Sequence, residues 1–498
     1  MSAPVDSAVR RATTRWTAAR RIPAPLVALL GAVLALGLVW ALVVPPFQAP
    51  DEQSHFAYVQ SLVSGPGLPG APGHLAFSSE QLRAQDVSNS DQTAAQIQVK
   101  PTWSAAEWER WQRLDDGTPP LSRSDSGGPG NPAGANPPLY YVYEAMPYAL
   151  FAGGDFFSRV TAMRVASVLW LLLTVVGAWL LAGELFRRDR LLQLMSAGVA
   201  GLLPMVTFVS AQIGPDTMMY ALWALALWLG VRIIRRGVTT GMAIALLGLT
   251  GLAIIVKATS YALVPATLLA LGVGLWRARA SRAQTVRLAV AALAALAIPV
   301  LAWFAIARLG GHAAAAQLTD ASSSGGTNLR ELASYLWQYY LPQLPFMDQI
   351  DPTGGGVPAF QIFVKQSWGA FGWLEVRFPD ALYTWFGALT AFVGLAGLAR
   401  LATRLRSMDL AVAAFLAVAV MTLLAGLHWT DYHQWIAGGA FMQGRYLFPL
   451  IPIAGAVTAL AISWLHGRAR AAAAGVVLGG LFALQLASLA LVATRFYA

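Results

Sequence analysis

The chain has 498 residues, of which 57% are hydrophobic and only 12% are charged, and its formal net charge at pH 7 is +10. A soluble globular protein carries about twice this charged fraction, so the composition excludes an ordinary soluble domain and indicates a membrane protein. The positive charge lies in short arginine clusters between apolar runs, which argues against nucleic-acid binding. The chain has no cysteine, which excludes disulfides and thiolate metal sites.

The first element is a polar, arginine-rich tail, residues 1–22. An apolar run, residues 25–44, follows it and is long enough to cross a bilayer. This run ends in Pro45-Pro46 without a clear cleavage site, so we interpret it as a retained signal anchor that leaves the tail in the cytoplasm. Further apolar runs predict membrane spans at 164–185, 191–211, 215–233, 240–256, 259–276, 287–309, 379–401, 408–427, 444–464 and 471–493.

Arginine clusters between the apolar runs test this order of spans. When the spans alternate from a cytoplasmic N-terminus, every cluster falls on the cytoplasmic side, as the positive-inside rule requires. The clusters lie at 187–190, 232–236, 277–287, 400–406 and 468–470. The sequence therefore predicts an all-α, multi-pass protein of the cell inner (plasma) membrane, a bundle of about 11–12 transmembrane helices with long extracytoplasmic loops.

The spans divide the chain into two transmembrane modules, residues 23–309 and 379–498. The first module carries an extracytoplasmic loop, residues 46–136, and a second such loop, residues 310–378, joins the modules. Residues 137–151 are apolar and aromatic but too short for a comfortable span. We predict a re-entrant or interfacial helix there.

The strongest local signal stands at the outer mouth of the first span, where Asp51, Glu52 and His55 follow Pro50. Adjacent carboxylates in a low-dielectric setting repel each other, which would raise the pKa of one and suit it to act as a general base. A divalent cation, Mg or Mn, could also bind to this pair. The alternative is that Asp51 is simply the N-cap of the helix that follows.

Two charged residues lie at the outer ends of later spans. Asp216 begins one span, and Lys257 stands at the turn between two others. Charge at such depth is costly, so both are functional candidates. Asp216 could equally be an N-cap, and Lys257 could extend to the lipid headgroups.

A third group precedes the penultimate span and contains His428, Asp431, His433 and Arg445. The guanidinium of Arg445 is suited to bidentate contact with a phosphate. The histidines and Asp431 could ligate a metal, but their spacing matches no zinc signature, so metal binding ranks below phosphate binding or interfacial hydrogen bonding.

The second long loop contains an aromatic, glycine-rich stretch, residues 363–373, that includes Lys365 and Trp368. Such a surface suits a sugar or a lipid headgroup, but it is also typical of an ordinary interfacial aromatic belt.

The candidate residues share one predicted side of the membrane and no phosphate-binding loop or dinucleotide motif accompanies them. A carboxylate that deprotonates an acceptor hydroxyl, beside cations that hold a leaving phosphate, would serve transfer from a lipid-phosphate donor. Nucleotide sugars are mainly cytoplasmic, so an outward site fits a polyprenyl-phosphate sugar better.

The same residues carry a resemblance to a known group. Asp51-Glu52 resembles the acidic motif in the first extracytoplasmic loop of GT-C glycosyltransferases, and residues 137–141 (PPLYY) resemble an element that follows that loop. Five ordered motifs are similar to a family of uncharacterised bacterial predicted membrane proteins in that group: PDEQSHF at 50–56, Pro215-Asp216, Lys257-x-Thr259, WGxFGW at 368–373 and QGRY at 443–446. Gly214 is a departure, since that family often has Asn there.

The resemblance implies a GT-C-like fold and an inverting transferase that uses a polyprenyl-phosphate sugar. Asp51 would be the general base, Glu52 would support it or bind acceptor, and Arg445 and Lys257 would hold the donor phosphate. The acceptor would be an envelope glycan, lipid or protein. The candidates for further substrate contacts are His55, Tyr140, Asp216, Lys365, Trp368 and His433.

Two other classes remain open from the sequence. A transporter or flippase of a lipid-linked sugar could share the outward carboxylates and cations, although such proteins usually show internal repeats and interrupted helices at mid-membrane. The third possibility is a non-catalytic assembly subunit, in which the carboxylate of Asp51 would matter little.

Overall fold

A computed structural model describes residues 22–65, 67–70, 77–101, 109–110, 121–125, 130–279, 281–312, 328–348, 357–404, 409–436, 439 and 441–498. The predicted cytoplasmic tail, except for its last residue, lies outside the described residues, as do parts of both long loops. The described part is mostly helical, which fits a chain whose backbone polar groups must be satisfied within lipid.

The first half of the chain contains most of the buried helices. They are α1 (Ala24–Val43), α2 (Glu52–Val63), α3 (Ser79–Val87), α4 (Ser90–Ala95), α5 (Leu139–Leu150), α6 (Phe156–Leu185), α7 (Arg190–Leu202), α8 (Pro204–Ser210), α9 (Asp216–Arg236) and α10 (Thr240–Ile254), with a 3₁₀ turn at Pro132–Ala135.

The second half continues with longer, more peripheral helices. They are α11 (Val264–Ala278), α12 (Arg282–Leu309), α13 (Leu329–Tyr340), α14 (Ser367–Gly369), α15 (Asp380–Thr403), α16 (Leu410–Ile436), α17 (Ile451–Ile462) and α18 (Gly467–Tyr497). Short 3₁₀ segments at Ala258–Leu263 and Gly444–Leu450 precede α11 and α17, and a π-helical segment at Phe360–Gln366 precedes α14. A two-residue antiparallel ladder pairs β1 (Ala370–Phe371) with β2 (Val376–Arg377).

The predicted multi-pass helical architecture is confirmed. Within the described ranges, nine helices are long and apolar enough to cross a membrane, and the bent pair α7–α8, with an angle of 58°, makes a tenth if it is one span. The remaining predicted span is α10, whose 15 residues form a shorter apolar helix. Each of the eleven predicted apolar runs therefore coincides with a helix or a bent helix pair.

Helix α9 lies at the centre of the bundle. In its most apolar window 83% of the residues are buried, against 11% in α12 and in α15, whose apolar side chains face outward. Gly177 allows α6 to approach α9 closely, because a Cβ at this position would lie 2.6 Å from the Cβ of Ala224. The first half of α9 is consequently packed closely against α6.

The predicted cytoplasmic arginine clusters meet acidic partners at the opposite ends of these helices from Asp216. Arg236 at the end of α9 lies 2.8 Å from Glu184 of α6, and Arg470 lies 2.8 Å from Asp189. Charge is thus concentrated at the two ends of the bundle, as expected where headgroups and water meet it.

Helix α5 is the short segment that the sequence left open. Its 12 residues would extend only about 18 Å, less than the hydrocarbon thickness. One face buries Tyr140, Tyr141 and Tyr148, while the other exposes Val142 and Met146. Such a one-sided helix is typical of a segment that lies on a membrane surface.

The predicted orientation can be tested with single cysteines, because the chain has none of its own. Gln92 on α4 and Thr240 at the start of α10 are both exposed, and the sequence predicts them on opposite sides. We expect a membrane-impermeant maleimide to label Gln92→Cys in intact cells and Thr240→Cys only after permeabilisation. The reverse pattern would contradict the predicted topology.

Candidate functional site

Four of the predicted residues, far apart in the chain, meet in one cluster. The Nζ atom of Lys257 donates to Oδ1 of Asp216 at 2.6 Å, and the guanidinium of Arg445 donates to the carboxylate of Asp51. Arg445 Nε also lies 3.9 Å from Asp216 Oδ2, which links the two ion pairs. The ring of Tyr446 faces both cations, with its centroid 4.7 Å from Lys257 Nζ and 5.5 Å from Arg445 Cζ. We call these four charged residues the charge cluster.

Asp51 enters the cluster from an unusual backbone conformation. Its φ is +67°, in the left-handed region that few side chains other than Asn and Asp adopt readily. It occupies the N-cap position of α2, yet among the described residues its side chain accepts no bond from that helix. The carboxylate turns to Arg445 instead, so a simple capping role does not account for it.

Asp216 and Lys257 reach the cluster because two helix ends meet there. Asp216 is the first residue of α9, where the positive end of the helix dipole favours a carboxylate. Lys257 follows the short helix α10 and precedes a 3₁₀ turn, and its ion pair holds the ammonium group inside the protein. The alternative that Lys257 extends toward headgroups is therefore not what the structure shows.

Arg445 is fixed by backbone contacts on both sides. The N–H of Gly444 donates to Gln366 Oε1 at 2.8 Å, and the hydroxyl of Tyr220 donates to the carbonyl of Arg445 at 2.9 Å. A Cβ at Gly444 would lie 2.7 Å from the carbonyl oxygen of Ile362, so only glycine permits this approach.

Asp51 is the open carboxylate of the cluster. Its side chain is 47% exposed, against 3% for Asp216 and 9% for Arg445. Partial burial opposes ionisation of Asp51, but the positive charges of Arg445 and Lys257 outweigh it and hold the pKa of Asp51 below its ordinary value. Asp51 is consequently ionised and accessible.

Glu52 does not join the cluster. It is fully buried and forms a two-bond ion pair with Arg164, at 2.7 Å to Nε and 2.5 Å to Nη2. Its oxygens also accept the N–H groups of Phe47 at 3.0 Å and Ile213 at 3.2 Å. The expected repulsion between Asp51 and Glu52 is therefore absent, because each carboxylate faces its own guanidinium, and the side chain of Glu52 is closed off from solvent.

The same arrangement disfavours the divalent cation expected at Asp51 and Glu52. The two side chains are committed to different arginines, and the described ranges contain no group of three or more His, Asp or Glu side chains placed to hold a metal ion. The residues here do not fit such a cation.

His55 and Tyr140 line the cluster from α2 and α5. Burial lowers the pKa of His55 to about 4, so its imidazole is neutral, and its Nδ1 lies 2.9 Å from the hydroxyl of Tyr141. Tyr140 accepts the N–H of Gly214 at 2.8 Å, two residues before Asp216. Both predicted residues thus border the site.

Three other predicted residues are engaged elsewhere. Lys365 donates to Asp380 at 2.7 Å, and Trp368 stacks on Phe386 with ring centroids 4.7 Å apart. The ring of His433 packs edge-on against Trp429. The stretch that contains Lys365 and Trp368 nonetheless supports the site. Gln366 accepts the N–H of Gly444, and Trp373 Nε1 donates to the carbonyl of Phe47 at 3.1 Å.

Sequence reasoning missed Arg164 and Tyr220, and it considered Asp431 only as a possible metal ligand or interfacial hydrogen-bonding group. Asp431 accepts the N–H groups of Phe441 at 3.0 Å and Met442 at 2.7 Å, which fixes the segment leading to Arg445. Arg164 did carry a signal, since an arginine at the predicted outer end of a span runs against the positive-inside rule.

Comparison with known proteins places the chain in a family. The model of the family described as "Predicted membrane protein (DUF2142)" matches residues 34–454. The chain belongs to this family. No protein of the curated set matches it.

Solved structures of similar fold include the oligosaccharyltransferase AglB from Archaeoglobus fulgidus in complex with an inhibitory peptide and a dolichol-phosphate, at 13% identity and a TM-score of 0.51. ArnT from Cupriavidus metallidurans bound to undecaprenyl phosphate gives 14% identity and a TM-score of 0.46. The matches cover 95% and 94% of this chain, but only 56% of AglB and 63% of ArnT. The likeness to AglB confirms the GT-C-like fold predicted from the sequence, and at such identity it concerns the fold alone.

The pair of Glu52 and Arg164 predicts a large effect on stability. We expect Glu52→Gln to lower the free energy of unfolding by about 3–5 kcal/mol, because it leaves a buried guanidinium without its counter-charge. Arg83→Ala breaks an exposed ion pair with Asp86 and should cost less than about 1 kcal/mol. Denaturant unfolding in detergent measures both, and equal stabilities would contradict the structural role of Glu52.

Proposed function

We propose that the protein is a membrane glycosyltransferase that moves a sugar from a polyprenyl-phosphate donor to an extracytoplasmic acceptor of the cell envelope. The observation that carries the proposal is the charge cluster, in which an accessible carboxylate lies beside two cations at one end of a membrane bundle. The fold supports it, because AglB, which shares that fold, is an oligosaccharyltransferase seen with a lipid phosphate.

The donor phosphate would bind to Arg445 and Lys257. Both cations are already held in place by carboxylates, so an arriving phosphate would exchange one anion for another and would not have to desolvate free charges. Asp51 is the partner most readily replaced, because it is the exposed one and Asp216 is deeply buried. Phosphate binding would thus release the carboxylate of Asp51 from Arg445.

The released Asp51 would then act as general base. An acceptor hydroxyl attacks C1 of the donor sugar, its proton passes to the carboxylate of Asp51, and the bond between C1 and the phosphate oxygen breaks. Polyprenyl phosphate leaves with the electron pair of that bond, its charge held by Arg445 and Lys257. A single displacement of this kind inverts the configuration at C1.

Binding of the donor would also strengthen the base. Arg445 is the main charge that lowers the pKa of Asp51, so a phosphate that neutralises Arg445 lets this pKa rise toward its ordinary value. Asp51 would therefore be a weak base in the free protein and a better one once the donor is bound.

Transfer itself is the first test. Purified protein in lipid would be given radiolabelled polyprenyl-phosphate sugars and envelope glycan, lipid or protein acceptors. Asp51→Asn should reduce transfer by about 10²–10⁴-fold, because the amide cannot accept the proton. Asp86→Asn, which changes an exposed acid on α3, should leave it unchanged.

If Asp51→Asn transferred sugar as fast as wild type, a residue other than Asp51 would be the general base. If no acceptor were labelled but the donor crossed the bilayer, the protein would be a carrier of lipid-linked sugar and the transferase proposal would fail.

Affinity for polyprenyl phosphate, the lipid-phosphate part of the donor, gives a second, independent test. Asp51→Asn should bind polyprenyl phosphate several-fold more tightly than wild type, because Arg445 loses its competing carboxylate. Arg445→Gln should bind it about 10- to 100-fold more weakly through loss of charged hydrogen bonds. Lys365→Met is the matched control, since Lys365 pairs with Asp380 outside the cluster. Weaker binding in Asp51→Asn would show that Asp51 holds the donor and does not compete with it.

A further inference from the structure

A chain of buried hydrogen bonds connects the charge cluster to the interface between α5 and α6. The N–H of Gly214 donates to the hydroxyl oxygen of Tyr140 at 2.8 Å, and this oxygen lies 2.8 Å from Oγ of Ser167. Ser167 Oγ donates in turn to Oε1 of Glu144 at 2.9 Å. The side chains of Tyr140, Ser167 and Glu144 are all fully buried. We call these three side chains the relay.

The relay has a single direction. A backbone N–H can only donate, so the hydroxyl of Tyr140 accepts from Gly214. With the carboxyl proton of Glu144 on Oε2, Oε1 accepts from Ser167, and the hydroxyl of Tyr140 then donates to Ser167. Each hydroxyl therefore accepts once and donates once, and the orientation of both is set by the acceptor oxygen at the end, Oε1 of Glu144.

Glu144 has no other evident use in this position. Its second oxygen, Oε2, has no hydrogen-bond partner among the described residues, and burial raises the pKa of its carboxyl group well above the ordinary value. An apolar side chain would fill the same volume without this cost. The feature that distinguishes Glu144 from such a side chain is the acceptor that it offers to the hydroxyl groups of Ser167 and Tyr140.

The turn at the other end of the relay controls the charge cluster. Gly214 precedes Pro215 and Asp216, and Asp216 binds Lys257 and lies beside Arg445. If the acceptor at residue 144 is removed, Ser167 is free to turn its proton to Tyr140. The hydroxyl of Tyr140 then has no acceptor for its proton. It can rotate this proton toward the N–H of Gly214, which weakens the hydrogen bond from Gly214 to Tyr140.

We propose that Glu144 is a positioning residue that, through Ser167 and Tyr140, holds the turn before Asp216 and so fixes the two cations of the charge cluster. The effect on donor binding rests on the proposed function, whereas the effect on the turn does not.

The turn is measured by amide hydrogen exchange of a peptide covering residues 213–214, because residue 215 is proline and has no N–H. Glu144→Leu and Ser167→Ala should each speed this exchange about five- to tenfold, the value of one net hydrogen bond. The double variant should add little to either single variant, because both interrupt the same relay. Ser167→Ala removes only one hydroxyl, so it carries the test if Glu144→Leu does not fold.

Two controls separate positioning from general damage. Glu144→Gln keeps an acceptor oxygen and should retain the slow exchange of wild type. Tyr143→Phe removes the neighbouring hydroxyl of α5, which donates to the carbonyl of Ala166 at 2.9 Å, and should not affect residues 213–214. Unchanged exchange in Ser167→Ala, or equally fast exchange in Glu144→Gln or Tyr143→Phe, would overturn the proposal.

Affinity for polyprenyl phosphate, measured on the same variants, separates this inference from the proposed function. Faster exchange together with weaker binding supports both. If wild type binds no polyprenyl phosphate, the proposed function fails, while the exchange data still decide the role of Glu144.

Discussion

The ion pair between Glu52 and Arg164 is the interaction on which the position of the charge cluster depends. Arg164 also donates to the carbonyls at the end of α1, including those of Ala41 at 3.1 Å and Pro45 at 2.9 Å, and Glu52 accepts the N–H of Ile213 ahead of α9. Burying two charges costs several kcal/mol each unless their hydrogen-bonding groups are satisfied, and here they are satisfied by three separate chain segments. The pair therefore fixes the end of α1, the start of α2 and the approach to α9 relative to one another, and Asp51 is the residue directly before Glu52.

This constraint explains why two adjacent acids have different surroundings. Glu52 is the first residue of α2, whereas Asp51 precedes the helix, so the two side chains need not share a direction. The left-handed backbone at Asp51 completes the change of direction and turns its carboxylate toward Arg445. Glu52 is thus buried in a structural ion pair, while the carboxylate of Asp51 stays accessible. The sequence of the dipeptide alone does not show which acid has which surroundings.

The sequence predicted the spans, the helical class and four members of the charge cluster, because apolar length, arginine asymmetry and charge at a helix mouth are local signals. It could not predict partners set by packing. Glu52 lies 112 positions before Arg164, and no local pattern distinguishes it from Asp51. Lys365 and Trp368 looked like ligand contacts because aromatic and basic residues suit a sugar, but in the structure they face α15. The relay behind Gly214 was likewise hidden, since Tyr140, Ser167 and Glu144 belong to two helices and their polar groups meet only when α5 docks on α6.

In the proposed reaction, the shared guanidinium of Arg445 links donor binding to base strength. Before the donor arrives, the two carboxylates and two cations balance one another, so the cluster stays neutral and Asp51 is restrained. A phosphate adds an anion, and Asp51 is the carboxylate that it can displace from Arg445. Asp216 stays in place because it is buried between Lys257 and Arg445 and the turn before it is fixed. A base that becomes free only when the donor phosphate is in place would act on an acceptor hydroxyl at the moment when a sugar is available to receive it. The order of the two events would then follow from competition for one arginine, without a moving domain.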